Sequence, residues 1–194
     1  MTKLHFIMAA AAALMLASPL SAQVGSLSDG SLLDNQTQTA PAQAAGEETS
    51  SEKIGDWDLQ CALSGPEPRP CRMYQLLTDP QGNAVAEVTM YRLPEGAPAA
   101  AGATFIVPLQ TLLPQQLTIA LDGVLANRIP YTYCTQIGCL ARLGISSIEA
   151  EAYKKGQNVT VSLVPAVAPD QVVSVNMSLK GFTEAFEKST PVQQ

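Results

Sequence analysis

Between residues 54 and 186, hydrophobic and polar residues alternate with a period of two. In GDWDLQCAL (residues 55–63), Trp57, Leu59, Cys61 and Leu63 alternate with Asp56, Asp58, Gln60 and Ala62. That pattern predicts a strand with one face buried and the other in water. NVTVSLV sets Val159, Val161 and Leu163 inward against Thr160 and Ser162. VVSVNMSLK does the same with Val173, Val175, Met177 and Leu179 against Ser174, Asn176 and Ser178. Leu117, Ile119 and Leu121 alternate until Asp122-Gly123, a dipeptide that favours a hairpin turn. CRMYQLL, AVAEVTMYRL and the short apolar TFIVPL add further strands, with Pro108 suited to a strand end or edge.

Two stretches carry helical signals. SSIEAEAYKKG offers Ser146 or Ser147 as N-cap, acids in the first turns, Lys154 and Lys155 in the last, and Gly156 as a stop. FTEAFEK predicts one or two turns near the end. A parallel α/β fold needs a crossover helix for each strand, and these are too few. The pattern predicts an all-β fold: an antiparallel β-sandwich of about eight strands with one or two short helices.

Outside this region the pattern changes. The chain starts with Lys3, an apolar run from Phe6 to Ala17, and Leu20-Ser21-Ala22 as a cleavage point before Gln23. This is the form of a secretory signal peptide over 1–22, too short to span a membrane. Residues 23–52 are poor in aromatic and β-branched residues and carry five acids and no base. Such a segment cannot offset its ordering entropy by burial, which predicts a disordered acidic leader over 23–53. The folded domain is expected over 54–187, with a flexible tail at 188–194. No transmembrane segment is expected once the signal is removed, and a periplasmic or secreted location follows.

Removal of the signal takes away His5, the one histidine. Serine–histidine and cysteine–histidine nucleophile systems, and most zinc, copper and non-haem iron sites, depend on imidazole. No metal, cofactor or catalytic residue is therefore expected. Loss of Lys3 leaves ten basic residues against 17 acidic. That balance argues against nucleic acid or an anionic lipid surface as partner. No phosphate-binding glycine loop, Gly-x-Ser-x-Gly elbow or His-Glu-x-x-His pattern occurs.

Four cysteines in an exported chain point to two disulfides, for which three connectivities exist. Cys61–Cys71 with Cys134–Cys139 is the favoured set. SGPEPRP between the first pair is hairpin-loop material, and Gly138 supplies the positive φ of a tight turn between the second. Loop-closure entropy gives roughly 3 kcal/mol for the first bridge and roughly 2 kcal/mol for the second. Zinc knuckles pair cysteines two to four residues apart, which only Cys134 and Cys139 satisfy, and redox pairs use a Cys-x-x-Cys spacing absent here.

Trp57 occupies an inward position and is read as a core anchor. Tyr131 and Tyr133 either share an exposed stacking face or pack within a hairpin. Asp56 and Asp58, two residues apart on one face, resemble a carboxylate pair, with Glu87 a further acid.

The segments GDWDLQC, PCRMYQ, LPQQLTIALDG, IPYTYCTQIGCLARL, KKGQNVTVSL and VSVNMSLKGFTEAF, in this order, span about residues 54–186. Together they resemble the invasion-associated locus B family of exported bacterial proteins. The resemblance implies a β-sandwich exported to the periplasm or cell surface, in a family where some members are linked to entry of pathogens into red cells. It brings no catalytic residues. The expected function is a non-enzymatic envelope or surface-associated binding module with a protein or glycan partner in the envelope or on a host cell. The alternative is a histidine-free hydrolase using Asp56, Asp58 or Glu87. Intact-mass analysis of the exported protein should show loss of residues 1–22, within a few residues. Retention of the apolar run from Phe6 to Ala17 would contradict the soluble reading.

Overall fold

A computed structural model describes residues 49–192, apart from Pro66, with the backbone alone at Leu125. The candidate signal over 1–22, the leader up to residue 48 and the last two residues of the tail lie outside the described residues. The period-two segments form eleven strands among the described residues: β1 (Thr49–Ile54), β2 (Trp57–Ala62), β3 (Cys71–Thr78), β4 (Ala84–Arg92), β5 (Ala101–Val107), β6 (Leu117–Leu121), β7 (Val124–Ile129), β8 (Tyr131–Thr135), β9 (Gly138–Ile145), β10 (Asn158–Leu163) and β11 (Val173–Ser178). Two helices accompany them, α1 (Ser147–Lys155) and α2 (Phe182–Lys188).

All pairings are antiparallel, in a seven-stranded sheet ordered β1-β2-β3-β4-β5-β9-β8 and a four-stranded sheet ordered β11-β10-β6-β7. The chain builds five strands as a meander, crosses to form β6 and β7, and turns at Pro130 into β8 to rejoin the first sheet. The result is the antiparallel sandwich that the alternation predicts, with more strands than expected. The additional strands are β1, β7 and a separately formed β8, all at sheet edges.

The inner faces carry the core. Trp57, Met73, Val88, Phe105 and Ala141 face Leu117, Val159, Val161 and Met177, all buried. Burying one such large side chain contributes about 1.5–3 kcal/mol. The smaller sheet approaches β3 through β11 and β9 through β7, while α2 covers β1 to β3. Phe182 of α2 meets Trp57 and Tyr153 edge to face, each at 5.8 Å, and stacks on Phe186 at 5.5 Å. This aromatic plug fills the inner face where the four-stranded sheet does not reach.

Helix α1 starts as its sequence predicts. Ser146 is the N-cap: its hydroxyl accepts from the Glu149 N–H at 3.2 Å, and the Glu149 carboxylate accepts from the Ser146 N–H at 2.8 Å. This reciprocal capping box satisfies two otherwise orphaned donors. Gly156 ends the helix for a different reason from the one expected. Its φ is −75°, open to any residue, but a Cβ there would lie 2.7 Å from Leu121 Cδ1 and 3.0 Å from Leu179 Cδ1. The Asp122-Gly123 turn forms with φ of 44° and 75°, the twist that matches a tight hairpin.

Several expectations are corrected. Residues 49–53, assigned to the disordered leader, form β1, held to β2 in continuous register from Thr49–Ala62 to Ile54–Trp57. The tail is not free from residue 188: Lys188 ends α2, Ser189 is buried, and the Val192 N–H donates to the Arg92 carbonyl at 2.9 Å. In β2 the inward run stops early. Leu63 lies beyond the strand and is exposed, whereas Gln60 and Ala62 on the outer face are buried beside Arg72 and Val192. Both disulfides form as favoured, Cys61–Cys71 with Cα atoms 4.0 Å apart and Cys134–Cys139 at 3.9 Å. Each joins directly opposed residues of neighbouring strands.

The β1–β2 turn and the start of α2 touch backbone to backbone. Gly55 has φ 60° and Gly181 has φ 83°, and a Cβ on either would strike the other's main chain. Gly55→Ala and Gly181→Ala should each cost about 3 kcal/mol, combining strain and collision. Gly82→Ala, also at positive φ (88°) but in open space, should cost about 1 kcal/mol. Denaturant unfolding of the three variants measures this, and equal losses would show that the collision contributes nothing.

Candidate functional site

The inner face of the larger sheet is packed, so its outer face is where functional groups gather. Register aligns one row across six strands: Lys53, Asp58, Tyr74, Thr89, Thr104 and Arg142. A parallel row brings Tyr91 opposite Gly102 and Gly102 opposite Gly144. Neither glycine carries a side chain: a Cβ at Gly102 would meet nothing within 4 Å, while one at Gly144 would lie 3.5 Å from the Ala99 methyl. A glycine inside a strand marks a bulge, a bend, or a place where a ligand or another stretch of backbone comes close.

Polar ties fix the side chains of this face. Lys53 Nζ lies 3.3 Å from Asp58 Oδ2. Arg72 Nε donates to Gln60 Oε1 at 3.0 Å, and Tyr74 Oη donates to Glu87 Oε2 at 3.0 Å. Arg142 Nη2 donates to Tyr133 Oη at 3.1 Å, with the guanidinium carbon 5.5 Å from the ring centroid. Tyr74 is held well above its ordinary pKa, first by partial burial and then by the charges of Glu87 and Asp58. Its neutral hydroxyl therefore stays a donor to Glu87 at all physiological pH.

Tyr131 and Tyr133 do not share a face. A bulge between them pairs Tyr131 with Ala141, which faces the core, and Tyr133 with Leu140 on the outer side. Tyr131 is half-buried against the core with its hydroxyl unpartnered among the described residues, and Tyr133 is exposed beside Arg142. One extra residue, Thr132, separates what sequence spacing places together.

Of the three candidate carboxylates, Asp58 and Glu87 both lie beside Tyr74 on the outer face, and Asp56 lies apart from them. Asp56 sits in the turn before β2, where its Oδ2 accepts from Ser178 Oγ of β11 at 2.7 Å. Asp58 pairs with Lys53, and Glu87 accepts from Tyr74. The partner that sequence reasoning missed is Gln75, a polar residue at an inward position of CRMYQLL. It donates to the Asp56 and Ser178 carbonyls at 3.2 and 3.1 Å and accepts from the Ser178 N–H at 2.7 Å. Gln75 thus joins the two sheets at their seam, and Asp56 belongs to that seam. A cleft of about 420 Å³ lies elsewhere, between residues 92–100 and the two helices. It is lined by Arg92, Lys154, Glu95 and Glu187 and by none of the three candidate acids.

Fold and face together define a disulfide-stapled β-sandwich with half-buried and exposed polar and aromatic groups on one sheet face. The chain belongs to the invasion associated locus B (IalB) family, whose sequence profile matches residues 57–190. It is similar to invasion protein B homologs of Brucella abortus strains 2308 and 9-941. Each is 25% identical over 157 residues, covering 80% of this chain and 88% of the relative. The crystal structure of invasion associated protein b from Bartonella henselae shares the fold, with TM-score 0.60 and 18% identity over 72% of this chain and 94% of that one.

Burial lifts two further tyrosines, Tyr131 to about 12 and Tyr153 to about 12, the latter also through the Glu149 charge. A tyrosine with a raised folded pKa contributes stability that is complete below the unfolded value near 10 and lost as pH rises toward 12. The denaturant midpoint should thus hold steady up to about pH 10 and then fall. Tyr131→Phe, which removes a buried hydroxyl without a partner, should be neutral or stabilising and should soften that fall. A large loss of stability in Tyr131→Phe would show that the hydroxyl is satisfied in solution.

Proposed function

We propose that this chain is an exported, non-enzymatic, invasion-associated module that binds a protein or glycan partner in the envelope or on a host cell. The carrying observation is the outer face of the seven-stranded sheet, which carries Arg72, Tyr74, Tyr91, Tyr133 and Arg142, with Tyr91 opposite Gly102 and Gly102 opposite Gly144. Tyrosine and arginine are the residues enriched where protein interfaces gain most of their energy. Tyrosine faces equally suit the apolar faces of sugar rings.

Several features support this reading over the hydrolase alternative. Asp58 and Glu87 flank Tyr74 but are engaged by Lys53 and by Tyr74, Asp56 is tied to Ser178, and none of the three lines the cleft, where acid–base work on a bound substrate would need them. The family and its Brucella and Bartonella relatives carry invasion in their names. The two bridges suit an oxidising compartment.

Gly102→Arg tests the assignment, because the position has room for a side chain and ordinary strand backbone. Immobilised exported protein should enrich a specific partner from envelope or host-cell-surface extracts, identified by mass spectrometry. Gly102→Arg and Tyr91→Ala should lose that partner while keeping the wild-type circular dichroism. Turnover of ester, peptide or glycan substrates that Asp58→Asn or Glu87→Gln abolishes would instead establish the hydrolase.

A further inference from the structure

One end of the sandwich carries a second surface, unlike the polar sheet face. The loop from β5 to β6 (residues 108–116) exposes Leu109 by 55% and Leu113 by 41%, and the loop from β10 to β11 (164–172) exposes Val167 by 78% and Val172 by 65%. Ile137, 68% exposed, stands in the β8–β9 turn, which the Cys139–Val107 pairing sets at the same end. Five of the ten exposed large hydrophobic side chains among the described residues sit on these neighbouring loops, and apolar patches of this kind mark sites of protein or membrane contact.

The loops are held rather than loose. The Leu112 N–H donates to the Val164 carbonyl at 2.8 Å, and the Ala166 N–H to the Gln110 carbonyl at 2.8 Å. Thr111 is buried, bridges to Pro165, and closes its own turn through a 2.7 Å bond from Oγ1 to the Pro108 carbonyl. The apolar side chains are therefore presented on a fixed frame, and docking them costs little further ordering.

We infer that this loop end docks into the interfacial region of an uncharged lipid bilayer. Two observations select that occupant. Across 108–116, 136–138 and 164–172 the only charged residue is Asp170, while the whole chain has net charge −6. An acidic protein approaching through an uncharged apolar end suits zwitterionic headgroups and is repelled by anionic ones. The same segments offer few hydrogen-bonding side chains besides glutamines and Asp170, so the end presents mainly aliphatic groups. Binding to a bilayer grows with each apolar group inserted. The inference does not depend on the partner proposed for the sheet face.

Flotation with phosphatidylcholine vesicles tests it, using the exported protein and its Val167→Asp/Val172→Asp variant. Both positions are exposed loop sites, so the fold should be unaffected, and circular dichroism checks this. The wild type should float with the vesicles, and the variant should partition at least about tenfold more weakly. Adding phosphatidylglycerol should weaken binding, and salt should not abolish it. Leu109→Asp is the second variant and should act in the same direction. Absence of wild-type flotation, equal flotation of the variants, or a requirement for anionic lipid would overturn the inference. Loss of a captured protein partner in the variants, with vesicle binding unchanged, would assign the loop end to that protein.

Discussion

The approach of two glycines sets the geometry from which the rest of the domain follows. Gly55 turns β1 into β2, Gly181 turns β11 into α2, and with no Cβ on either the two backbones come into contact. The Asp56 N–H then donates to the Lys180 carbonyl at 3.0 Å, locking the first hairpin to the last turn of the domain. Phe182 follows Gly181 directly and Trp57 stands two residues after Gly55, and their rings meet edge to face. The contact therefore closes the domain and builds the aromatic plug in one step. Gln75 and the Asp56–Ser178 bond extend the same seam along the sheets. The nearby Lys188, between Glu52 and Glu184, is exposed, and such pairs add little stability.

From this closure comes an asymmetry. Four strands cannot cover seven, and the two helices take up the remainder of the inner face. All the chemical variety is then left on the outside: a polar sheet face, an apolar loop end, and a cleft by the helices. The interior is occupied by packed side chains, so the groups open to other molecules lie on these outer surfaces and in the cleft of about 420 Å³.

The sandwich class, the inward residues of β2, β6, β10 and β11, the Asp122-Gly123 turn and the Ser146 cap were legible because local rules govern them. Strand β1 was not, because TSSEKI has five exposed or half-exposed positions and a single buried one, Ile54. Backbone hydrogen bonds to β2 hold it, and hydropathy does not report these. The tail is a similar case, tied by main-chain and hydroxyl bonds to Arg92 and Arg69. The split of Tyr131 from Tyr133 depends on one bulged residue, which reverses every facing after it. Of the candidate site, the residue types were legible and their convergence was not. Asp56 and Asp58 share a strand face on paper, but Asp56 lies in the turn, where its partner is 122 residues away.

The Cys134–Cys139 bridge acquires a meaning in this setting that its energy alone does not give. It closes a separation of only five residues, so its loop-entropy contribution is roughly 2 kcal/mol, comparable to one buried core side chain. Its position matters more. Immediately before it stands Tyr133, at the rim of the polar face, and within its loop stands Ile137, at the apolar end. Strand β8 lies at the sheet edge, with every residue after Tyr131 exposed, so packing does little to hold it. Gly138 has φ 151°, and a Cβ there would collide with the Val107 carbonyl, so the turn depends on glycine at this position. The staple thus stands in for a core that this edge lacks, and keeps two chemically different surfaces in a fixed relation to each other.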